Sequence, residues 1–519
     1  MKKAIYLIIA LIGLSAPSCS DSMLDFSPTD SGSGKELLKS ASTAITSVNG
    51  VYRSMWTAGW STTANTHQCF GIAAYNLALD CMADDLIMQS QGNGWFWGDH
   101  CYNVKSNYTS SAFRSYDVWY ANYKWIANVN YIIDAEPEMA GTEADVAYVA
   151  GQAYAIRALC YLNLATWFSR APYNSLTGAS RWNEPCVPVY TTGTSIDTGG
   201  QPRESLRTFY CRIDQDIDRA IELLEKARET TLAENNKSHI NLYVALGIKS
   251  RACLAEGDWD GAFKAAKRVI DEGGYAVGTK SDLTGGMNSL DKQNVMWGAG
   301  IQVADQAGGY AGFFTHMDNK EGAYAKSAPK LISKQLYNRI SATDIRRDWW
   351  DPSDKESPYV SKKFSFANVA SFLGDYIYMR VEEMYFTAAE AALRLDDLKS
   401  ARELMNTVMA ERDPGYSANN RSGTLLGATT TTWTGSFLEN ILTHRRIELW
   451  GEYGRLFDVR RLGQGIDRRT DDGFSEECIS MMNRRNVNIT KADTYDWVLT
   501  IPKAELDANP NINEEDQNP

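Results

Sequence analysis

The spacing of apolar positions predicts a largely helical protein. Between Ser205 and Ala227 the apolar side chains recur three or four residues apart, which places them on one face of a helix. This stripe consists of Leu206, Phe209, Ile213, Ile217, Ala220, Ile221 and Leu224. A second helical stretch runs from Thr142 to Phe168. The two stretches predict a helix pair whose connecting loop is unusually long.

Two other stretches repeat the same pattern at an offset of 139 residues, 251–262 and 390–401. In each, one helix is predicted to end, an Asp can cap the next helix, and a small Ala lets the two helices approach closely. The matching positions are Asp258 and Asp397 for the caps, and Ala262 and Ala401 for the close approach. This arrangement is typical of tetratricopeptide helix pairs.

These patterns predict a mainly α fold with a tetratricopeptide-like repeat scaffold and few short strands. The helix pairs are expected near 142–227, 238–273 and 376–411, and a helical stretch at 37–56 opens the array. An isolated repeat cannot bury its apolar face, whereas stacked repeats share one continuous core. We therefore expect 36–519 to form a single domain.

The rest of the chain predicts an irregular, loop-rich half. Ten glycines fall between positions 273 and 312, and further loop-rich stretches run from 170 to 203 and from 413 to 436. Long loops in a folded protein commonly carry function. We place the ligand-binding half mainly in 57–130 and 274–375.

The first residues predict export and not a folded element. Lys2 and Lys3 precede an apolar run at 4–16, which is too short to span a bilayer as a helix but fits a secretory signal. The run leads to Cys19, the expected site of lipidation. We predict a signal peptide at 1–18 and a lipidated tether at 19–35; a plain secreted protein is the alternative.

Charge and cysteine content narrow the class of protein further. The chain has 64 acidic and 52 basic side chains, a net charge of −12, and so lacks the basic surface that binds nucleic acid. Eight cysteines remain after Cys19, and none forms a C-x-x-C pair. A chain of this size does not require a disulfide framework, and Cys160 and Cys253 lie in apolar helical patterns where buried thiols are common, so we assign no disulfide pairing.

The sequence shows no motif for cofactor, metal or nucleophilic chemistry. None of the five histidines stands in a zinc motif, and the G-x-S-x-G and phosphate-loop patterns are also missing. We therefore predict a protein that is not an enzyme and has no cofactor or metal. Adjacent carboxylates at Asp84 and Asp85, or at Glu382 and Glu383, leave a glycoside hydrolase as the less favoured alternative.

Aromatic residues in glycine-rich loops are the leading candidates for ligand binding. Trp95 and Trp97 lie between glycines, beside Asn93 and Asp99. In an extended chain the two indoles would point the same way and could stack on a sugar ring, while the polar groups meet its hydroxyls. The alternative is that the loop folds back and both indoles fill the core.

A second set of candidate ligand-binding aromatics lies in the other loop-rich segment. It consists of Tyr310, Phe314 and Tyr324, with Phe313 and His316 nearby. Core packing is the alternative for this set as well. Farther along, Trp349 and Trp350 follow charged residues that are expected to form a buried ion network.

Several motifs, taken together and in order, resemble those of the SusD/RagB family. The resemblance spans almost the whole mature chain, and its motifs are Asn49-Gly50-Val51-Tyr52, the stretch 153–161, Arg380-x-x-Glu383-x-Tyr385, Arg445-Arg446-Ile447-Glu448-Leu449, Arg455-Leu456-Phe457-Asp458, and Ile501-Pro502-Lys503.

The resemblance implies a surface-exposed lipoprotein of the outer membrane. Members of the family capture oligosaccharides and deliver them to a TonB-dependent transporter of the SusC type; some relatives serve peptide importers, so peptide capture is the alternative. The resemblance also implies that Arg380, Glu383 and Glu390 hold helices together by charge pairing and do not contact ligand. It does not certify Trp95 or Trp97, because ligand-binding aromatics vary among relatives.

Overall fold

The computed structural model describes residues 34–58, 66–103, 113–195, 197–233, 237–303, 311–492 and 494–519. The expected signal peptide, the lipidation site Cys19, most of the tether and the candidate residue Tyr310 lie outside these ranges.

Helices dominate the described chain. We label the longer ones α1 (Ala41–Ser54), α2 (Ile72–Met82), α3 (Phe113–Ala135), α4 (Glu143–Phe168), α5 (Leu206–Lys226), α6 (Leu242–Glu256), α7 (Trp259–Glu272), α8 (Val381–Arg394), α9 (Leu398–Ala410), α10 (Phe437–Glu448), α11 (Arg455–Leu462) and α12 (Glu476–Arg484). Shorter α-helices span Gly34–Leu37, Trp97–His100, Lys280–Thr284, Phe313–Met317, Ala323–Ser327, Lys334–Tyr337 and Lys503–Ala508.

Strands are few and short, as the sequence predicts. They are β1 (Leu86–Ile87), β2 (Val295–Ala299), β3 (Leu331–Ile332), β4 (Trp350–Asp351), β5 (Val360–Ser361) and β6 (Tyr376–Arg380). One antiparallel sheet has the order β1-β3-β5-β4, and β2 pairs with β6 in a second. Because β1 belongs to the first loop-rich segment and β3 to the second, the first sheet brings these two segments together.

The helix pairs form a stacked scaffold, which confirms the predicted fold class. Each helix from α3 to α8 packs on the next one along the chain. Asp258 accepts a hydrogen bond from the backbone N–H of Gly261 at the start of α7, and Asp397 does the same for Ser400 at the start of α9, both at 3.0 Å. Each cap satisfies an N–H that has no partner within its helix.

Small residues set how closely the helices approach. Ala262 and Ala401 are completely buried where each pair meets, as predicted. Gly151 plays the same part between α4 and α5: a Cβ added there would lie 2.9 Å from Cγ of Leu224. A side chain at this position would force α4 and α5 apart.

A buried ion network joins the scaffold to the loop-rich half. The carboxylate of Glu448 on α10 accepts hydrogen bonds from Arg346, Arg380 and Arg412 at 2.9–3.0 Å. Arg346 also pairs with Asp344 at 2.6 Å. All five side chains are completely buried, so the network predicted beside Trp349 and Trp350 is present.

The charged motif residues hold elements together as expected. Glu383 pairs with Arg251 at 2.7 Å, and Glu390 pairs with Arg461 at 2.8 Å. None of the eight cysteines within the described ranges is joined in a disulfide. Among the same residues, no helix is both long and apolar enough to cross a membrane.

Candidate functional site

The loop that carries Trp95 and Trp97 does not run extended. Phe96, between them, has a φ of 60°, in the left-handed region, and its backbone N–H donates to Oε1 of Gln68 at 2.8 Å. A short helix begins directly afterwards at Trp97. The assumption that both indoles point the same way is therefore wrong, because a contact with a distant residue fixes a turn between them.

Trp95 is half-buried and lies in a cluster of aromatic rings. Its indole stacks on the imidazole of His67, with ring centroids 5.0 Å apart and an angle of 16°, and it meets Tyr324 edge-on at 6.0 Å. The Tyr324 hydroxyl forms a hydrogen bond with Nδ1 of His67. We call Trp95, His67 and Tyr324 the Trp95 cluster. It fixes one indole so that part of its surface stays open to solvent.

His316 packs against this cluster and contacts both His67 and Tyr324. Its Nε2 lies 2.6 Å from the carbonyl oxygen of His67, and its ring packs against Tyr324 with centroids 4.9 Å apart. Burial, together with the nearby charge of Lys330, lowers the pKa of His316 well below its usual value. The imidazole is therefore neutral at physiological pH and serves as a rigid support.

Asn93 is exposed and is held beside the cluster. Its Oδ1 accepts a hydrogen bond from Oγ of Ser327 at 2.8 Å. The loop can come this close because residue 92 is glycine: its φ is 50°, and a Cβ there would lie 2.6 Å from the carbonyl oxygen of Ser327. The amide Nδ2 of Asn93 remains as a donor close to Trp95 on the same loop.

The other candidates are placed differently from Trp95 and Asn93. Trp97 is only 4% exposed, and Phe314 is only 2% exposed. Asp99 is completely buried, and Arg114 binds both of its oxygens at 2.8 and 3.0 Å. Tyr324 is buried too, behind Trp95. The structure thus brings Trp95, Asn93 and Tyr324 together and uses Trp97, Asp99 and Phe314 in the core.

A polar cavity of about 760 Å³ adjoins the cluster. The helix Ala323–Ser327 connects the two, because it supplies Tyr324 to the cluster and Lys326 to the cavity wall. Phe366 and Val369 also line the cavity, and Val369 is 45% exposed.

A second cavity, of about 470 Å³, is lined by aromatic side chains that the sequence analysis did not single out. Trp119, Tyr120 and Tyr123 on α3 line it, facing Tyr190 from the long loop between α4 and α5. The indole N–H of Trp119 donates to the carboxylate of Glu505 at 3.3 Å. The spacing of the three α3 aromatics was a usable signal, but Tyr190 and Glu505 are joined to them only by the fold.

The adjacent carboxylates that were candidates for a glycoside hydrolase form ion pairs with arginines. Asp84 and Asp85 are buried and share Arg446, at 2.9 and 2.5 Å, and Arg455, at 3.1 Å to each. Glu382 is likewise buried and pairs with Arg412 at 2.8 Å. A glycosidase needs two carboxyl groups that face a substrate, and these face guanidinium groups. Within the described ranges, no group of three or more His, Cys, Asp or Glu residues is placed to hold a metal ion.

Comparisons with known proteins agree with this architecture. The model of the SusD family matches residues 326–519, and a SusD-like model described as starch-binding and associating with the outer membrane matches residues 43–254. No significant match was found among curated proteins.

Several solved structures share the fold over almost their whole length. A SusD-like carbohydrate-binding protein from Bacteroides vulgatus is 25% identical, with a TM-score of 0.73, covering 92% of this chain and 98% of its own. A SusD superfamily protein from Bacteroides thetaiotaomicron is 23% identical, with a TM-score of 0.72 and coverages of 92% and 100%.

A third structure is that of surface glycan-binding protein A from Bacteroides thetaiotaomicron, in complex with laminarihexaose. It is 16% identical, with a TM-score of 0.63 and coverages of 92% and 99%. With both parts of the chain matched by SusD models, and the fold shared from one end of these structures to the other, the chain belongs to the SusD family.

Proposed function

We propose that the protein captures oligosaccharides at the cell surface and delivers them to a SusC-like TonB-dependent transporter. The observation that carries this proposal is the fixed, partly open indole of Trp95 with the exposed amide of Asn93 beside it. An aromatic face supplies affinity for the apolar face of a pyranose, and a fixed amide orients its hydroxyls.

The relatives support the same class of ligand. One neighbouring structure is described as a SusD-like carbohydrate-binding protein and another holds laminarihexaose. The polar cavity next to the Trp95 cluster offers room for further sugar units. The ligand-binding residues that we propose are Trp95 and Asn93, with Tyr324 as the support that fixes the indole.

Calorimetry against a panel of oligosaccharides tests the proposal. Trp95→Ala should abolish binding of any sugar that the wild-type protein binds, because the stacking surface is lost. Trp182→Ala is a matched control, since Trp182 is also a half-buried loop tryptophan, packed edge-on against Tyr210. Equal binding by both variants and the wild type would show that the sugar site lies elsewhere.

The same experiment separates the two alternatives. Binding of an oligopeptide mixture, with no sugar bound, would favour peptide capture on this scaffold. Release of shorter products from a bound polysaccharide would favour a hydrolase, which the arginine-bound carboxylates of Asp84, Asp85 and Glu382 argue against.

Partner and membrane attachment follow from the same proposal. We infer a lipid anchor on Cys19 and a position at the outer membrane, with no transport step carried out by this chain alone. Mass spectrometry of the mature N-terminal peptide should show acyl chains on Cys19, and Cys19→Ala should release the protein from the membrane fraction. Co-purification with a SusC-like transporter tests the partner.

A further inference from the structure

A cavity of about 530 Å³ lies between α1 and the β2–β6 sheet, apart from the surfaces discussed above. Asn49 and Gly50 of the first family motif line it from α1, and Trp297 and Tyr378 line it from the two strands. Trp56, just beyond the end of α1, closes one side. No residue of the Trp95 cluster contributes to its wall.

The hydroxyl of Tyr378 has no hydrogen-bond partner among the described residues. The side chain is 5% exposed, and its ring packs edge-on against Trp297 with centroids 5.0 Å apart. Burial raises the pKa of Tyr378 well above its usual value. The group therefore keeps its proton and is an unused hydrogen-bond donor, which is costly in a folded protein.

An unused acceptor lines the same cavity. Oδ1 of Asn49 is buried, and it too lacks a partner in the described part of the chain. Neighbouring polar groups are satisfied: the hydroxyl of Tyr52 donates to Oε1 of Gln152 and accepts from the backbone N–H of Ile240, both at 3.0 Å. The two unpaired atoms belong to residues that line one cavity, where a polar group of another molecule would satisfy them.

A hydroxyl group both donates and accepts, and so matches such a pair. The cavity wall also offers aromatic surface from Trp56 and Trp297, and none of the described side chains that line it carries a carboxylate. Arg53 also lines this wall, with its guanidinium carbon 5.8 Å from the centroid of the Trp56 ring. This lining suits a ligand that is neutral or acidic and disfavours a cation.

We propose that this cavity is a second carbohydrate site, which binds a single neutral or acidic pyranose between Asn49, Tyr378 and the surrounding indoles. Its volume admits one sugar ring with its water. Because it shares no residue with the Trp95 cluster, it goes beyond the proposed capture site, and either site can fail while the other stands.

Thermal unfolding with and without monosaccharide tests the proposal. The probes are D-glucose, D-galactose, D-mannose, N-acetyl-D-glucosamine and D-glucuronate. Tyr378→Phe should raise the unfolding temperature of the sugar-free protein, because it removes a buried unpaired hydroxyl, and should abolish the shift that sugar causes in the wild type.

Tyr376→Phe, on the same strand, is the matched control. The Tyr376 hydroxyl accepts a hydrogen bond from the backbone N–H of Phe313 at 3.2 Å. Its removal should lower the unfolding temperature of the sugar-free protein and leave the sugar-induced shift intact. Tyr378→Phe should thus raise the unfolding temperature of the sugar-free protein and Tyr376→Phe should lower it. Only Tyr378→Phe should abolish the shift that sugar causes.

Gly50→Leu provides a second variant that does not touch Tyr378. Gly50 lines the cavity, and a Cβ there would meet no atom within 4 Å, so a leucine can be accommodated and should narrow the cavity. It should abolish the sugar-induced shift. The proposal is overturned if none of the five sugars shifts the wild type, or if Tyr378→Phe and Gly50→Leu both keep the wild-type shift. Trp95→Ala should leave this shift unchanged, whatever it does to oligosaccharide binding.

Discussion

Replacing Gly92 by alanine should disturb the loop that presents Trp95 and Asn93. Gly92 has a φ of 50°, and a Cβ there would lie 2.6 Å from the carbonyl oxygen of Ser327 and 2.7 Å from Cβ of Ala328. Neither atom can rotate away, because one belongs to the backbone and the other is fixed to it. The loop itself must therefore move.

The cost has two parts. The left-handed conformation costs a residue with a Cβ about 1–2 kcal/mol. Forcing an extra carbon into a packed contact costs about 1–3 kcal/mol more. Gly178 separates the two parts, since its φ is 73° but a Cβ there would meet no atom within 4 Å. Gly178→Ala should therefore cost only about 1–2 kcal/mol, and Gly92→Ala clearly more.

Urea unfolding gives the loss in unfolding free energy for Gly92→Ala and for Gly178→Ala. Hydrogen exchange followed by mass spectrometry reports on the loop at 91–95. Gly92→Ala should speed exchange at 91–95 and weaken oligosaccharide binding, because the bond from Ser327 to Asn93 is lost. Gly178→Ala should do neither. Equal free-energy losses for the two variants, with unchanged exchange at 91–95, would refute the claim that close contact at Gly92 positions the loop.

Other predictions concern buried charge and packing. Glu448→Gln should cost about 3–5 kcal/mol, because it leaves three buried guanidinium groups without their carboxylate, whereas Glu403→Gln, at an exposed pair, should cost less than about 1 kcal/mol. The three arginines outweigh burial and hold the pKa of Glu448 well below its usual value. The stabilisation from Glu448 is therefore present above its unfolded-state pKa and lost as pH falls through its folded-state pKa. Unfolding curves of the wild type and Glu448→Gln should converge in acid. Burial raises the pKa of Asp80 to about 8; the folded state then holds a proton that the unfolded state has lost, so stability should fall as pH rises towards 8, and urea titrations of Asp80→Asn should lack that component. Ala401→Leu should cost about 1–3 kcal/mol in urea unfolding, because the position is completely buried where α8 meets α9.

The helix pairs could be predicted because their determinants are local. Asp258 and Asp397 cap helices that begin at the next residue, and the stripe along α5 lies within one element. Interactions of this kind depend on neighbours three or four residues away, which are visible in the sequence itself. The family motifs also indicated that Glu383 and Glu390 form charge pairs between helices, and both carboxylates are paired with arginines.

The arrangement of the candidate site depended on contacts between distant parts of the chain. Gln68 binds the backbone of Phe96 and turns the loop, so that Trp95 stays partly open while Trp97 enters the core. Arg114 takes up both oxygens of Asp99. Composition and spacing had marked this loop as the candidate, but could not assign its side chains to surface or core.

The sequence by itself therefore determined the helical repeats, the structural role of the charged motif residues and the loop in which to seek a ligand. Only the tertiary structure decided which aromatic faces solvent, and only it placed Asn49 beside Tyr378 in one cavity. The physical reason is that burial and hydrogen-bond satisfaction are properties of neighbours in space. Residues far apart in the chain become such neighbours only after the helices and sheets have packed.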